Sequence, residues 1–179
     1  SLGLLGSATG ATLPLQMSGQ AASAAQSHLF VMTQAKQAIT FENVTEEPVP
    51  SILRGFSAPV IVNFDYTDAQ LLTLLANDPD PFNRWEAGQR LALRSAIQVI
   101  ATNEDSKGAR CLNDAFIAAM RAVLRHPTLD AAFKELVLTL PSEVYIAEQL
   151  DVVDPQRIHL VREAMREQLA AELAADWQW

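Results

Sequence analysis

The side chains able to do chemistry are few and scattered. His28, His126 and His159 lie far apart, and none sits in an H-E-x-x-H pattern, which sets two zinc ligands one helical turn apart. His159 and Glu163 form an i, i+4 pair that could hold one edge of a metal. With no third ligand in view, the pair reads as an exposed hydrogen-bonded contact. Cys111, the single cysteine, has only Arg110 beside it, and reads as a buried or spare thiol rather than a nucleophile. Glu46-Glu47 and Asp78 with Asp80 supply paired carboxylates, in loop and helix-cap contexts where acids are ordinary. Arg84-Trp85 could stack a planar ligand, but such a Trp more often belongs to the core and the Arg to the surface. No glycine-rich phosphate loop occurs. These residues define no catalytic, cofactor-binding or metal site.

Composition narrows the classes further. A chain of 179 residues that is 49% hydrophobic can bury a sizeable core in one or two domains. Its net charge of −8 argues against a nucleic-acid surface, which needs clustered Lys and Arg. No apolar run approaches the roughly 20 residues of a membrane helix, and the uncharged start lacks the basic flank of a signal peptide. One cysteine cannot form an internal disulfide, so a reducing, cytoplasmic location is expected.

The elements that would position these residues change character at one seam, Pro48 to Tyr66. Before it, Leu2 to Leu5 and Leu13 to Met17 read as strand pieces joined by the GSATGAT turn of Gly6 to Thr12. Ser18 to Ser27 reads as a loop whose low complexity also allows disorder. His28 to Thr33 and Gln37 to Asn43 are expected to form a hairpin. Within the seam, Ile52 to Phe56 and Val60 to Tyr66 read as strands, punctuated by Pro48, Pro50 and Pro59. Through Tyr66 the net charge is −2, leaving −6 for the remainder.

Helical periodicity takes over at Thr67, which with Gln70 makes a capping-box pattern. Asp80-Pro81 starts a second helix with Phe82, Trp85, Ala92, Ala96 and Ile100 inward and Arg84, Glu86 and Arg90 largely outward. Asn103 to Gly108 is a polar loop. Phe116, Ile117, Met120, Val123 and Leu124 stripe a third helix. Thr128 or Asp130 caps a fourth through Phe133, Leu136 and Val137. Pro141-Ser142 opens a short fifth, and Asp154-Pro155 a long last one striped by Ile158, Val161, Met165, Leu169 and Leu173. Short helices with brief turns suggest a stacked superhelical array, although no fixed sequence period establishes a formal repeat.

Four motifs occur in order: PVPSILRGFSAPV at the seam, DPFNRWEAGQRL at Asp80 to Leu91, LTLP at Leu138 to Pro141, and DVVDP at Asp151 to Pro155. Together they resemble the aminopeptidase N family of zinc exopeptidases, in its bacterial form. No single motif is chemical; their shared order makes the match specific. The resemblance implies an α+β chain with segregated domains. An incomplete antiparallel, immunoglobulin-like β-sandwich would occupy 1–66, and the N-terminal part of an all-α superhelical array 67–179. It further implies a piece of the non-catalytic half of such an enzyme, lacking the opening strands of its sandwich. In the family the β domain spaces and braces, and the helical domain caps the cleft so that free peptide ends are selected.

Family members bind zinc through H-E-x-x-H plus a downstream Glu, and hold the substrate's amino terminus near a G-A-M-E-N segment. Neither pattern occurs here, so the resemblance transfers no catalytic, cofactor or metal residue to this sequence, and zinc would bind outside it. The implied partners are the missing catalytic domain and remaining helices of the parent, with peptide substrates reached through the parent. The alternative is an independent protein-binding module. The last stripe runs on to Trp177 and Trp179 with no C-cap glycine, so self-association through the last helix is expected.

Overall fold

The computed structural model describes residues 1–20, 25–102 and 110–177. Within these, β1 (Leu2–Gly6) and β2 (Pro48–Ile52) precede six helices. These are α1 (Asp68–Asn77), α2 (Pro81–Thr102), α3 (Asp114–Leu124), α4 (Ala131–Leu138), α5 (Glu143–Ala147) and α6 (Pro155–Glu172). No described residue after Ile52 belongs to a strand, so β and α segregate along the sequence. No described helix is long and apolar enough to cross a membrane. By contact the chain divides into two compact units, Ser1–Arg84 and Trp85–Trp179. The helical sequence begins at Asp68, and the unit boundary falls within α2. The expected polar loop of Asn103 to Gly108, and residues 21–24 of the Ser18 to Ser27 loop, lie outside the described residues.

In the first unit β1 and β2 pair antiparallel, with Gly3 opposite Ser51, Leu4 opposite Pro50 and Leu5 opposite Val49. Two prolines within a five-residue strand need an explanation. Leu2, Leu4 and Gly6 direct their backbone groups away from β2, to His28, Leu13 and Ala11 respectively. Gly3 and Leu5 are therefore the positions that bond to β2, through Ser51 and Val49. Pro48 and Pro50 fall between those bonds, where a missing N–H costs nothing. The carbonyl of Pro50 accepts the Tyr66 hydroxyl at 2.7 Å. Leu4, Leu13 and Leu15 form a core with Phe41 and Val44, and α1 packs on both strands with Leu71, Leu74 and Leu75 buried.

Four strand expectations fail here. Leu13 to Met17 joins no ladder: Met17 makes only an isolated bridge to Phe41, while Leu13 and Leu15 serve the core. Ile52 to Phe56 is not a strand: β2 stops at Ile52, Leu53 turns to a positive φ of 62°, and Arg54–Phe56 form a single 3-10 turn. The hairpin of His28 to Thr33 with Gln37 to Asn43 makes no ladder, because its two arms bond elsewhere. His28 exchanges backbone bonds with Leu2, while Thr40 and Glu42 bond to Ser18 and Gln16. Val60 to Tyr66 forms no ladder either, since no described strand lies alongside it.

Helix starts follow the sequence closely. Thr67 and Gln70 form the reciprocal capping box. Asn113, Asp130, Ser142 and Asp154 each accept the amide three residues on, with Pro155 in the first turn of α6. The second unit pairs α3 with α4 and α5 with α6. Long polar side chains then donate to carbonyls at helix ends and in connecting turns, where helical bonding runs out. Gln89 donates to Thr139, Arg157 to Val99 and Arg162 to Pro141, at 2.8, 2.9 and 2.9 Å. The Gln168 amide closes both ways on the Leu112 backbone. In α2, Ala92 and Ala96 are buried as expected, joined by Ala87 and Leu91, whereas Phe82, Trp85 and Ile100 are only half-buried. In α4, Leu136 is exposed although its neighbour Val137 is buried.

The stripe of Ile158, Val161, Met165, Leu169 and Leu173 is buried, which corrects the picture of an open apolar face on α6. Beyond it Asp176 is nearly inaccessible and accepts Arg121 Nε at 2.9 Å, together with Arg125 Nε. The Arg121 hydrogen bond, against the push of burial and with help from Arg125, holds this carboxyl below the usual carboxylate range. A depressed acid stabilises the fold above its unfolded pKa of about 4 and stops doing so as pH falls through its lower folded value. Asp176→Asn should therefore unfold at lower temperature than the parent at pH 7, and the gap should close as pH drops below about 4. Thermal unfolding across a pH series measures this, and a gap independent of pH would contradict it.

Candidate functional site

The most elaborate polar cluster is buried in the first unit, where the first two sequence motifs meet. Leu53, turned to positive φ, reverses the chain after β2 and sends Arg54 inward, where it is 6% exposed. Its Nε donates to Ser51 Oγ at 2.7 Å and its Nη2 to Asp78 Oδ1 at 3.0 Å. Nη1 donates to the Gln26 carbonyl at 2.8 Å and to Ser27 Oγ. The guanidinium lies so close over Gly3 that a Cβ there would stand 2.0 Å from Nη1. Gly3 is thus required by approach, not by backbone angle.

The second motif supplies the other half. Asp78 ends α1, with its own amide bonded to the Leu74 carbonyl. Its carbonyl accepts Arg84 Nε and Nη2 at 3.0 and 2.8 Å, so the guanidinium caps the negative end of the helix. Asp80 accepts the Asn83 amide on Oδ1, opening α2, and the Gly55 amide on Oδ2. Asn83 Nδ2 bridges Ser51 Oγ and the Ile52 carbonyl. The expected outward Arg84 is therefore corrected: it is 3% exposed, drawn in by a helix terminus that lacks other donors. Burial pushes the Asp78 carboxyl up, against Ser51, the Asp80 amide and Arg54, and pushes the Arg84 guanidinium down. Every named contact is internal to the unit, so the cluster is a joint between elements and holds no reactive group poised over a cleft.

The other candidates stay apart. His159 Nδ1 bonds Glu143 Oε1 at 2.8 Å rather than Glu163, which instead takes Arg166 at 2.6 Å. Arg166 Nε and Nη2 both donate to the single oxygen Glu163 Oε2, a charge-assisted contact one helical turn apart. Burial raises the Cys111 thiol pKa, leaving little thiolate at neutral pH. His28 stacks near Phe30 at 4.6 Å, and His126 contacts Thr128. Glu46 closes the Ala8-Thr9 turn, and Glu47 gives its carbonyl to Ser7. Trp85 is half-buried. Among the described residues no group of three His, Cys, Asp or Glu side chains is placed to hold a metal, so this donor set does not fit a zinc ion. In the second unit a mostly apolar groove of about 380 Å³ lies between Leu124, Ala131, Leu138 and Trp177, flanked by Lys134 and Glu135.

Sequence reasoning placed Asp80 correctly but missed Arg54, Ser51, Asn83 and Arg84 as one cluster. The available signal was two polar residues, Asn83 and Arg84, in the first turn of a helix otherwise striped with apolar ones.

Residues 2–65 match a family model described as a domain of unknown function, DUF3458, with an Ig-like fold. Residues 68–179 match its companion DUF3458_C, described as ARM repeats. The chain belongs to this family, and the segregated α+β architecture read from the sequence holds. It is 37% identical over 165 residues to aminopeptidase N of Escherichia coli K12, covering 92% of this chain and 18% of that protein. It is 34% identical over 145 residues to aminopeptidase N of Caulobacter vibrioides, covering 81% and 16%. The structure of Legionella pneumophila aminopeptidase A in complex with aspartic acid superposes with a TM-score of 0.72 at 28% identity, over 99% of this chain and 19% of that one. The resemblance to aminopeptidase N drawn from the four motifs is borne out. The chain spans less than a fifth of the length of these relatives.

The joint makes a direct prediction. Removing one member of a buried ion pair leaves the other uncompensated, at a cost of about 3–5 kcal/mol. Arg54→Ala should destabilise the first unit by that amount in denaturant unfolding. Arg54→Met with Asp78→Leu should lose clearly less than the sum of the two single changes. Additive losses would show that the pair is not coupled.

Proposed function

We propose that this chain is a non-catalytic segment of a zinc-dependent aminopeptidase that removes N-terminal amino acids from peptides in the cytoplasm. The observation that carries the reading is the match to aminopeptidases over 92% of this chain but only 18% of the relative. The β portion braces the catalytic part and the helical portion caps it. The described residues offer no zinc-fitting donor set, so in this reading the parent's catalytic domain, its chief partner, supplies the metal ligands and the peptide site. Further helices of the parent extend the array beyond Trp177, whose 51% exposure beside the groove supports a contact there. In isolation a second copy can take that place, and sedimentation over a concentration series, with Trp177→Ser as control, detects it as a dimer lost in the variant.

The full-length polypeptide carrying this sequence should release amino acids from aminoacyl nitroanilides, contain one zinc per chain, and lose turnover on chelation. This chain alone should do neither. Tight stoichiometric zinc and turnover in this chain by itself would overturn the assignment, as would a full-length polypeptide inert towards every aminoacyl substrate.

A further inference from the structure

The joint around Arg54 and Asp78 holds more hydrogen-bonding capacity than the protein itself satisfies. Asp78 Oδ2 and Arg84 Nη1 are shut off from solvent and meet no partner among the described residues. Asp78 is 0% exposed and Arg84 3%. An unmade bond to a buried charged group costs more than a typical hydrogen bond returns. Two such atoms in one cluster therefore point to a ligand.

Neither group is free to turn towards another partner. Asp78 Oδ1 accepts Arg54 Nη2 at 3.0 Å and the Asp80 amide at 2.9 Å, which holds the carboxylate in place. Arg84 commits its Nε and Nη2 edge to the Asp78 carbonyl. The guanidinium is rigid and planar, so anchoring that edge also fixes Nη1. Burial pushes the Arg84 guanidinium down while the Asp78 carboxylate pushes it back up, so the two groups lie within each other's field.

The chemistry of the two atoms selects what fits. Oδ2 of an ionised carboxylate only accepts, and Nη1 only donates. A cation would satisfy the carboxylate and be repelled by the guanidinium; an anion would meet the reverse. The charges of the joint already balance, Arg54 and Arg84 against Asp78 and Asp80. An added ion would thus bury a net charge. The ligand must be small, neutral, and able both to donate and to accept. Water is all three, and two polar partners are the fewest that hold it inside a protein.

We propose that one internal water molecule bridges Asp78 Oδ2 and Arg84 Nη1, donating to the carboxylate and accepting from the guanidinium. It joins the end of α1 to the first turn of α2 by a second path, separate from the bonds to the Asp78 carbonyl.

A high-resolution crystal structure of this chain tests the site directly. One water oxygen should lie within about 3.2 Å of both atoms. Direct bonding between the two, an ion in that place, or separate waters continuous with bulk solvent would overturn the proposal. In solution, oxygen-17 relaxation dispersion counts the waters that stay inside long enough to tumble with the protein. That count should fall by one in Arg84→Met, which removes Nη1 and sets an apolar group against the site. An unchanged count in the folded variant would overturn the proposal as well. Where the variant does not fold, the crystal structure of the parent decides alone.

Discussion

The ion pair between Arg54 and Asp78 is the contact on which the first unit depends. The guanidinium makes four hydrogen bonds to acceptors from three parts of the chain: Ser51 after the middle of β2, Gln26 and Ser27 in the loop, and Asp78 at the end of α1. Two buried charges would cost more than they return without dense hydrogen bonding, and the surroundings supply most of it, leaving Asp78 Oδ2 without a partner among the described residues. Asp78 gives its carbonyl to Arg84, Asp80 starts α2 and holds Gly55, and Asn83 returns to Ser51. A strand end, a 3-10 turn and two helix termini are thereby fixed by one polar cluster where a larger sheet would use apolar packing.

The second unit uses charge differently. There arginines and glutamines reach the carbonyls that helix ends and turns leave open, as Arg157 does at Val99 and Gln89 at Thr139. Asp176 gathers Arg121 from α3 and Arg125 just beyond it, fixing the turn after α6. These contacts are partly exposed and act on orientation, while burial of Phe116, Met120, Ile158 and Met165 carries most of the stabilisation.

The sequence made local structure legible and non-local pairing obscure. Thr67, Asp130, Ser142 and Asp154 could be read as caps because each acts within three residues of itself. The β1–β2 pairing joins residues nearly fifty positions apart, and no turn signal announces it. Arg54 and Arg84 were illegible for a related reason. Periodicity assigns charges to the solvent face, and only the Leu53 reversal, the missing side chain of Gly3 and the open end of α1 turn them inward. The four motifs nevertheless identified the family, since ordered resemblance does not depend on knowing what each residue touches.

The prolines of β2 have a consequence for solubility. On the edge facing away from β1, Pro48 and Pro50 have no N–H to offer, and the carbonyls of Pro50 and Ile52 are taken by Tyr66 and Asn83. A misfolded or neighbouring chain therefore finds neither donors nor free acceptors along the centre of that edge, and cannot extend the sheet there. The exposed apolar residues of this unit are thus separated from a template for amyloid-like growth. Aggregation that begins at this sheet would first have to break the same hydrogen bonds that hold Tyr66 and Asn83 in place.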